Sequence, residues 1–249
     1  GLLGIGGGML LVPFMTYILG HQQVAPDRAV KMAIATSMAT IIFTSVSSVR
    51  AHHKRGAVRW DIVKGLAPGI VLGGAIGSMG IFAVLKGTTL ALIFAAFISF
   101  SATQMYLDKK PKPGRDMPGT LGQLGAGGII GLISGLVGAG GGFISVPFMV
   151  ACNVAIINAV ATSAALGFPI ALANAAGYAI SGHGLAGLPA WSLGYIWLPA
   201  LAVIAACSVT TAPLGAKMAH SLPVAKLKRV FASILYLLAA FMFWKGITS

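Results

Sequence analysis

Glutamate is absent from this 249-residue chain, and the only acidic residues are Asp27, Asp61, Asp108 and Asp116. The four aspartates are scattered, and no cluster of acids, histidines or a nucleophile pair shares one depth, which argues against an enzyme. Cysteine is nearly missing as well. Cys152 and Cys207 both stand in apolar stretches, where they read as small buried hydrophobes rather than as a disulfide framework or a metal site. Charge of either sign is scarce, at 8% of residues, against roughly a quarter in soluble domains. The opening lacks a basic flank and a small-residue cleavage signature, so it does not read as a signal peptide.

What is present is apolar surface: 57% hydrophobic residues, 34 glycines and a mean hydropathy of +0.91. These values describe an integral membrane protein, whose surrounding partner is the lipid bilayer. The net charge of +13 does not indicate nucleic acid, because the basic residues are confined to short segments between apolar runs of about 20 residues. Spans are expected at 28–50, 60–85, 88–107, 156–181, 191–217 and 223–245. Basic residues cluster at Arg50, Lys54, Arg55 and Arg59, at Lys109, Lys110, Lys112 and Arg115, and at Lys217, Lys226, Lys228 and Arg229. Cytoplasmic loops are enriched in Lys and Arg, so all three clusters should face the cytoplasm. An even number of spans separates each from the next. The stretch from Thr120 to Cys152 must then enter and leave on one side, as a hairpin of two short helices broken at Gly138 to Gly142.

A glycine-rich motif occurs twice. Gly4-Ile-Gly-Gly-Gly-Met-Leu-Leu-Val-Pro-Phe-Met15 returns as Gly138-Ala-Gly-Gly-Gly-Phe-Ile-Ser-Val-Pro-Phe-Met149, identical at eight of twelve positions at an offset of 134. Ala35-Thr36-Ser37 echoes in Ala161-Thr162-Ser163, Pro68 in Pro199 and Gly77 in Gly215. The expected fold is therefore an all-α polytopic membrane protein of two repeats, each a broken helical hairpin plus three transmembrane helices. Repeat 1 covers 1–107 with its first hairpin arm truncated, 108–118 is a cytoplasmic linker, and 119–249 is repeat 2. Because three is odd, the copies should be inverted, a recurring build of secondary transporters with substrate at the midplane. The chain opens on Gly inside an apolar run, so an upstream half-helix is expected.

The motif is not a dinucleotide loop, because Met9 and Phe143 stand where a third glycine is needed and no acidic residue follows about 20 positions on. No cofactor is expected. Close helix packing through small residues is the bland alternative, and it suffices for Gly73, Gly74 and Gly77. Consecutive glycines go further, since they break a helix and free backbone N–H groups, tolerable at membrane depth only beside protein or a wet cavity. The short helices that start at Met9 and Phe143 present positive ends, and Pro13 and Pro147 fall in their first turns. Gly6, Gly7, Gly8 and Met9, with Gly140, Gly141, Gly142 and Phe143, are thus candidates for a symmetric cradle that holds a small anion without a formal buried charge.

The paired G-x-G-G-G-x-x-x-V-P motif, the A-T-S triplet one helix later and the His53-Lys-Arg-Gly-Ala-Val-Arg-Trp60 loop resemble the TauE/SafE sulfite exporter family across nearly the whole chain. The resemblance implies a prokaryotic inner-membrane permease for small sulfur-containing anions, such as sulfite, sulfoacetate or other C2 sulfonates. It also implies drive by an ion gradient, with H+ or Na+ as the candidate coupling ion. A passive anion channel and a permease for a small carboxylate remain alternatives.

Among polar residues in the spans, Thr36, Ser37, Thr162 and Ser163 are candidates to line the cavity, with capping or back-bonding as the plainer role. Asn174 is either interhelical glue or a donor to the substrate. Asp27 and Asp61 read as helix starts, Asp108 and Asp116 as linker residues, and all five histidines as surface groups, which leaves no evident proton carrier.

Overall fold

A computed structural model describes residues 7–107, 114–220 and 224–248, with side chains described outside residues 209 and 211–228. Gly6, Asp108, Lys109, Lys110 and Lys112, and the side chains of Lys217, His220, Lys226 and Lys228, therefore lie outside the described residues. The described chain is helical apart from one two-stranded hairpin, and it is an all-α polytopic membrane protein. Its elements are α1 (Gly8–His21), α2 (Pro26–His53), α3 (Trp60–Ala75), a π-helical stretch Ile76–Ile81, α4 (Phe82–Val84), α5 (Gly87–Leu107), α6 (Thr120–Val137), α7 (Gly142–Ala151) and α8 (Ile156–Ser181). The hairpin β1 (Ser192–Leu193) and β2 (Ile196–Trp197), then α9 (Leu198–His220) and α10 (Val224–Thr248), complete it.

Six described helices are long and apolar enough to cross a membrane: Pro26–His53, Trp60–Val84, Gly87–Leu107, Thr120–Val137, Ile156–Ser181 and Arg229–Thr248. The spans expected at 28–50, 60–85, 88–107, 156–181 and 223–245 fall on α2, α3 to α4, α5, α8 and α10.

Two expectations need correction. Residues 191–197 are not helical. Gly187, Trp191 and Gly194 all take positive φ, and β1 pairs antiparallel with β2 through Ser192 with Trp197 and Leu193 with Ile196. Gly194 lies so close to α8 that a Cβ there would come within 2.3 Å of the Ala179 carbonyl. Within the apolar run Leu188 to Trp197, the hairpin buries Gly194, Tyr195 and Ile196 and leaves Trp191 and Leu193 exposed, and the helix begins only at Leu198. The second correction concerns the Thr120–Cys152 hairpin, whose arms are unequal. α6 has 18 residues and α7 has 10, or about 27 Å and 15 Å at 1.5 Å per residue. The end of α7 is tied to the segment that precedes α6. Gly114 and Arg115 N–H groups donate to the Ala151 carbonyl at 3.3 and 3.2 Å, and Asn153 Nδ2 donates to the Arg115 carbonyl at 3.0 Å.

The corners after the two short helices are built alike. Gln23 and Asn153, neither of them glycine, take φ of 59° and 61°. Val24 N–H then donates to Leu19 O and Val154 N–H to Met149 O, the six-to-one bond that closes a helix with a left-handed residue. Ala25 and Ala155 follow as extended N-caps with near-identical angles. Helix pairing is also matched: α2 packs on α8 and α5 on α10, while α9 meets α2 and α3 meets α8. Tyr17 meets Phe241 and Phe97 meets Phe143 edge-on, each at 6.4 Å.

Glycine determines how close α3 and α6 come. A Cβ at Gly69 would lie 2.0 Å from Leu124 O, one at Gly73 1.9 Å from Gly128 O, and one at Gly131 2.2 Å from Ile70 O. Backbone therefore rests on backbone along this interface, the small-residue packing that stabilises helix pairs where water offers no hydrophobic drive.

Candidate functional site

At the second glycine run, α6 ends with Gly138 at φ 64° and α7 starts after Gly141 at φ 73°. Both angles lie in the left-handed region that favours glycine, and together they unwind Gly138 to Gly141 between the two helices. Ile144 and Ser145 N–H groups fold back on the Gly141 carbonyl at 3.0 and 2.9 Å. The Gly142 and Phe143 N–H groups have no acceptor within α7, because the opening donors of a helix precede its first carbonyls. The first copy starts α1 in the same way, with Leu10 and Leu11 N–H groups on the Gly7 carbonyl, both at 3.2 Å. Gly7 itself is exposed and takes φ −66°, so its cap is right-handed where Gly141 is left-handed.

The start of α1 meets the end of α6. A Cβ on Gly8 would lie 2.4 Å from the Gly138 carbonyl oxygen and 3.2 Å from Ser37 Oγ. Ile41 closes the junction, with its Cδ1 3.4 Å from that Gly8 position and 3.6 Å from the equivalent position on Gly140. Gly8, Met9 and Gly138 to Gly142 are all buried, and Phe143 is half-buried.

Ser134, one turn before the break, bears on its chemistry. The residue is 1% exposed, and its buried hydroxyl has no hydrogen-bond partner. It lies 3.1 Å from where a Cβ on Gly141 would sit, beside the start of α7. An unpaired buried hydroxyl costs about 1–3 kcal/mol, and here it stands against Gly141, the residue that caps the start of α7. Such an arrangement suits the oxygens of an anion.

The Thr and Ser candidates are buried but do not line an open cavity. Ser37 Oγ donates to the Gly8 carbonyl at 3.1 Å, and Ser145 Oγ donates to Ser163 Oγ at 2.8 Å. Thr36 Oγ1 accepts from Trp197 N–H and Thr162 Oγ1 from Arg59 N–H, both at 3.0 Å. Each threonine thus anchors the backbone that opens another helix, α9 for Thr36 and α3 for Thr162. In these two bonds the hydroxyl oxygen is the acceptor, which is a different role from the donor role it would play in bonding back to its own helix. Asn174 is fully buried against Gly74 and Gly135, one turn along α8 from Ile170, which packs on Gly141. Its Nδ2 donates to Ile170 O at 2.8 Å and to Gly131 O at 3.4 Å, and its Oδ1 is unpaired.

Matched against family models, residues 1–242 fit the model described as sulfite exporter TauE/SafE. The chain belongs to that family. A probable membrane transporter protein of Haemophilus influenzae is 38% identical to this TauE/SafE chain over 247 residues, 98% of this chain and 93% of the relative. Bacillus subtilis YunE, also a probable membrane transporter protein, is 25% identical over 272 residues, covering 100% of this chain and 93% of YunE. A third relative of the same description, from Methanocaldococcus jannaschii, is 26% identical over 255 residues, covering 97% and 89%. No solved structure matches. This TauE/SafE chain is therefore a multi-pass membrane transporter.

Sequence reasoning missed two features of this TauE/SafE chain. Lys31 is 6% exposed on α2, and its Nζ donates to the Ala83 carbonyl at 3.2 Å beside the rings of Phe82 and Tyr195. Its signal was plain, a lysine inside an expected span that belongs to none of the basic clusters. Nothing in the sequence sets Ser134 apart from the other buried serines. At the opposite end, Arg59 pairs with Asp61 at 2.6 Å with both side chains more than half exposed. The bond to that carboxylate holds the Arg59 guanidinium above its ordinary value, but an exposed pair adds little stability.

Proposed function

We propose that this chain is a permease for small sulfur-containing anions, sulfite or C2 sulfonates such as sulfoacetate, in a prokaryotic cell membrane, with its basic loops in the cytoplasm. The anion is held at the glycine junction by the N–H groups that open α7 and α1, and by the Ser134 hydroxyl. The observation that carries this reading is the unpaired, buried Ser134 hydroxyl beside the start of α7, at the point where Gly8 meets Gly138. The family description names sulfite and supports the choice of anion. The matched corners, the matched aromatic contacts and the reciprocal threonine bonds support two inverted halves that rock against one another. Those threonine bonds, Thr36 to Trp197 and Thr162 to Arg59, are where the halves hold each other.

Flux of radiolabelled sulfite and sulfoacetate into proteoliposomes tests the reading. Wild-type protein is expected to carry at least one of them and to show counterflow, which a channel does not. Ser134→Ala is expected to reduce the initial rate by about tenfold, the size of one hydrogen bond to a charged group. Wild-type protein without flux of either anion would contradict the substrate class, and an unchanged Ser134→Ala rate would contradict the site.

A further inference from the structure

Lys31 is the only charged side chain buried among the described residues. No carboxylate pairs with it there. Its nearest acid, Asp27, is one turn away and accepts a hydrogen bond from the Gly87 N–H at the start of α5. Of the three donors of the ammonium, one reaches the Ala83 carbonyl, while the Tyr195 and Phe82 rings stand 5.5 and 5.9 Å away. A cation buried in a membrane segment without a counter-ion is costly and marks a functional position.

The surroundings connect Lys31 to the glycine junction. Gly138 packs on Ile34, one turn further along α2: a Cβ there would lie 3.1 Å from Ile34 O and 3.2 Å from Ile34 Cγ2. Ile34 is three positions on from Lys31, about 4.5 Å along the axis. Side chains lean towards the start of their helix, which carries the ammonium away from the junction and towards the face opposite the basic loops. It is covered there by the β1–β2 turn, whose Tyr195 is 6% exposed and donates its N–H to the Tyr178 carbonyl at 3.3 Å. Tyr178 packs on Phe82 at 4.5 Å and donates its hydroxyl to the Gly135 carbonyl, three residues before the break. The same hairpin supplies the Trp197 N–H to Thr36. Lys31 thus stands between a hairpin that closes the outer face and the unwound point behind it.

We propose that Lys31 forms an outer anion subsite, the first buried positive charge met by a sulfur oxyanion entering from the face opposite the basic loops, and that the β1–β2 hairpin with Tyr195 closes over it. This rests on the anion-permease reading above. In the closed arrangement the aromatic rings and the Ala83 carbonyl stand in for the anion. When the hairpin withdraws, two freed donors on a flexible stem take its oxygens and pass it one turn inward.

The test uses the purified full chain with sulfite and ethanesulfonate as probes. Thermal stabilisation of Lys31→Met and Lys31→Arg by each anion is compared with wild type, and the midpoint without anion checks folding. Lys31→Met is expected to need at least about tenfold more anion for the same shift, and Lys31→Arg to stay near wild type. In a background lacking Cys152 and Cys207, Lys31→Cys treated with an aminoethyl thiosulfonate should regain anion affinity, whereas a methyl thiosulfonate should not. Recovery by both reagents, or a Lys31→Met shift equal to wild type, overturns the subsite and leaves the permease reading intact. If neither anion stabilises the wild type, the subsite falls together with that reading.

Discussion

Gly8→Ala is the smallest change that bears on the glycine junction. Its methyl would sit 2.4 Å from the Gly138 carbonyl oxygen, where ordinary contact begins at 3.4 Å, so backbone must separate by about 1 Å. Neither partner gives way easily. On α1, the Gly8 carbonyl is held by Ser37 Oγ at 3.1 Å. On the other side, Gly138 is a left-handed cap packed against Ile34. Forcing a methyl into a filled contact costs about 1–3 kcal/mol, and a misplacement of about 1 Å at a working site costs on the order of a hundredfold in rate. Gly125→Ala is the control, the same chemical change on α6 at a position with no atom within 4 Å, where alanine should favour the helix by about 1 kcal/mol. Thermal midpoints in detergent and initial sulfite flux in proteoliposomes are read for both. Gly8→Ala is expected to lower the midpoint and to cut flux by one to two orders of magnitude, while Gly125→Ala keeps flux and raises the midpoint slightly. Wild-type flux and midpoint in Gly8→Ala would refute the close approach of the two glycine runs.

Gly73→Ala places a methyl 1.9 Å from the Gly128 carbonyl and should destabilise the α3–α6 interface by about 1–3 kcal/mol, measured as a lower thermal midpoint. Thr36→Val and Thr162→Val each strand a backbone N–H, that of Trp197 or Arg59. Each should lose about 1–3 kcal/mol of stability, and similar losses in the two variants would match the reciprocal geometry. Asp61→Asn removes an exposed ion pair with Arg59 and should leave the midpoint almost unchanged.

Much of the fold was legible because a bilayer imposes simple demands on sequence. Apolar runs of about 20 residues located α2, α3, α5, α8 and α10 within a few residues, and the parity of the basic clusters required a hairpin at Thr120–Cys152. The duplicated glycines located the unwound point between α6 and α7, since only glycine accepts the left-handed angles at Gly138 and Gly141 without strain. What stayed hidden depends on long-range contact. The run at 191–197 is as apolar as a span, and only its fit against Ala179 makes it a hairpin. Thr36 and Thr162 pair with backbone donors more than 100 positions away, which local pattern does not encode. The π-helical stretch at Ile76–Ile81, where Ser78 Oγ donates to Gly74 O at 2.7 Å, carries no sequence signature either. Lys31 is a different case, since a lysine inside the apolar run of α2 is visible in the sequence itself.

The most direct measurement is an experimental structure of the protein with selenite, the heavier analogue of sulfite, located by its anomalous scattering. The account predicts one selenium peak at the glycine junction, with oxygens about 3 Å from the Gly142 and Phe143 amides and from Ser134 Oγ. A peak only at the basic loops, or an ordered selenite elsewhere in the membrane with the junction empty, would contradict it.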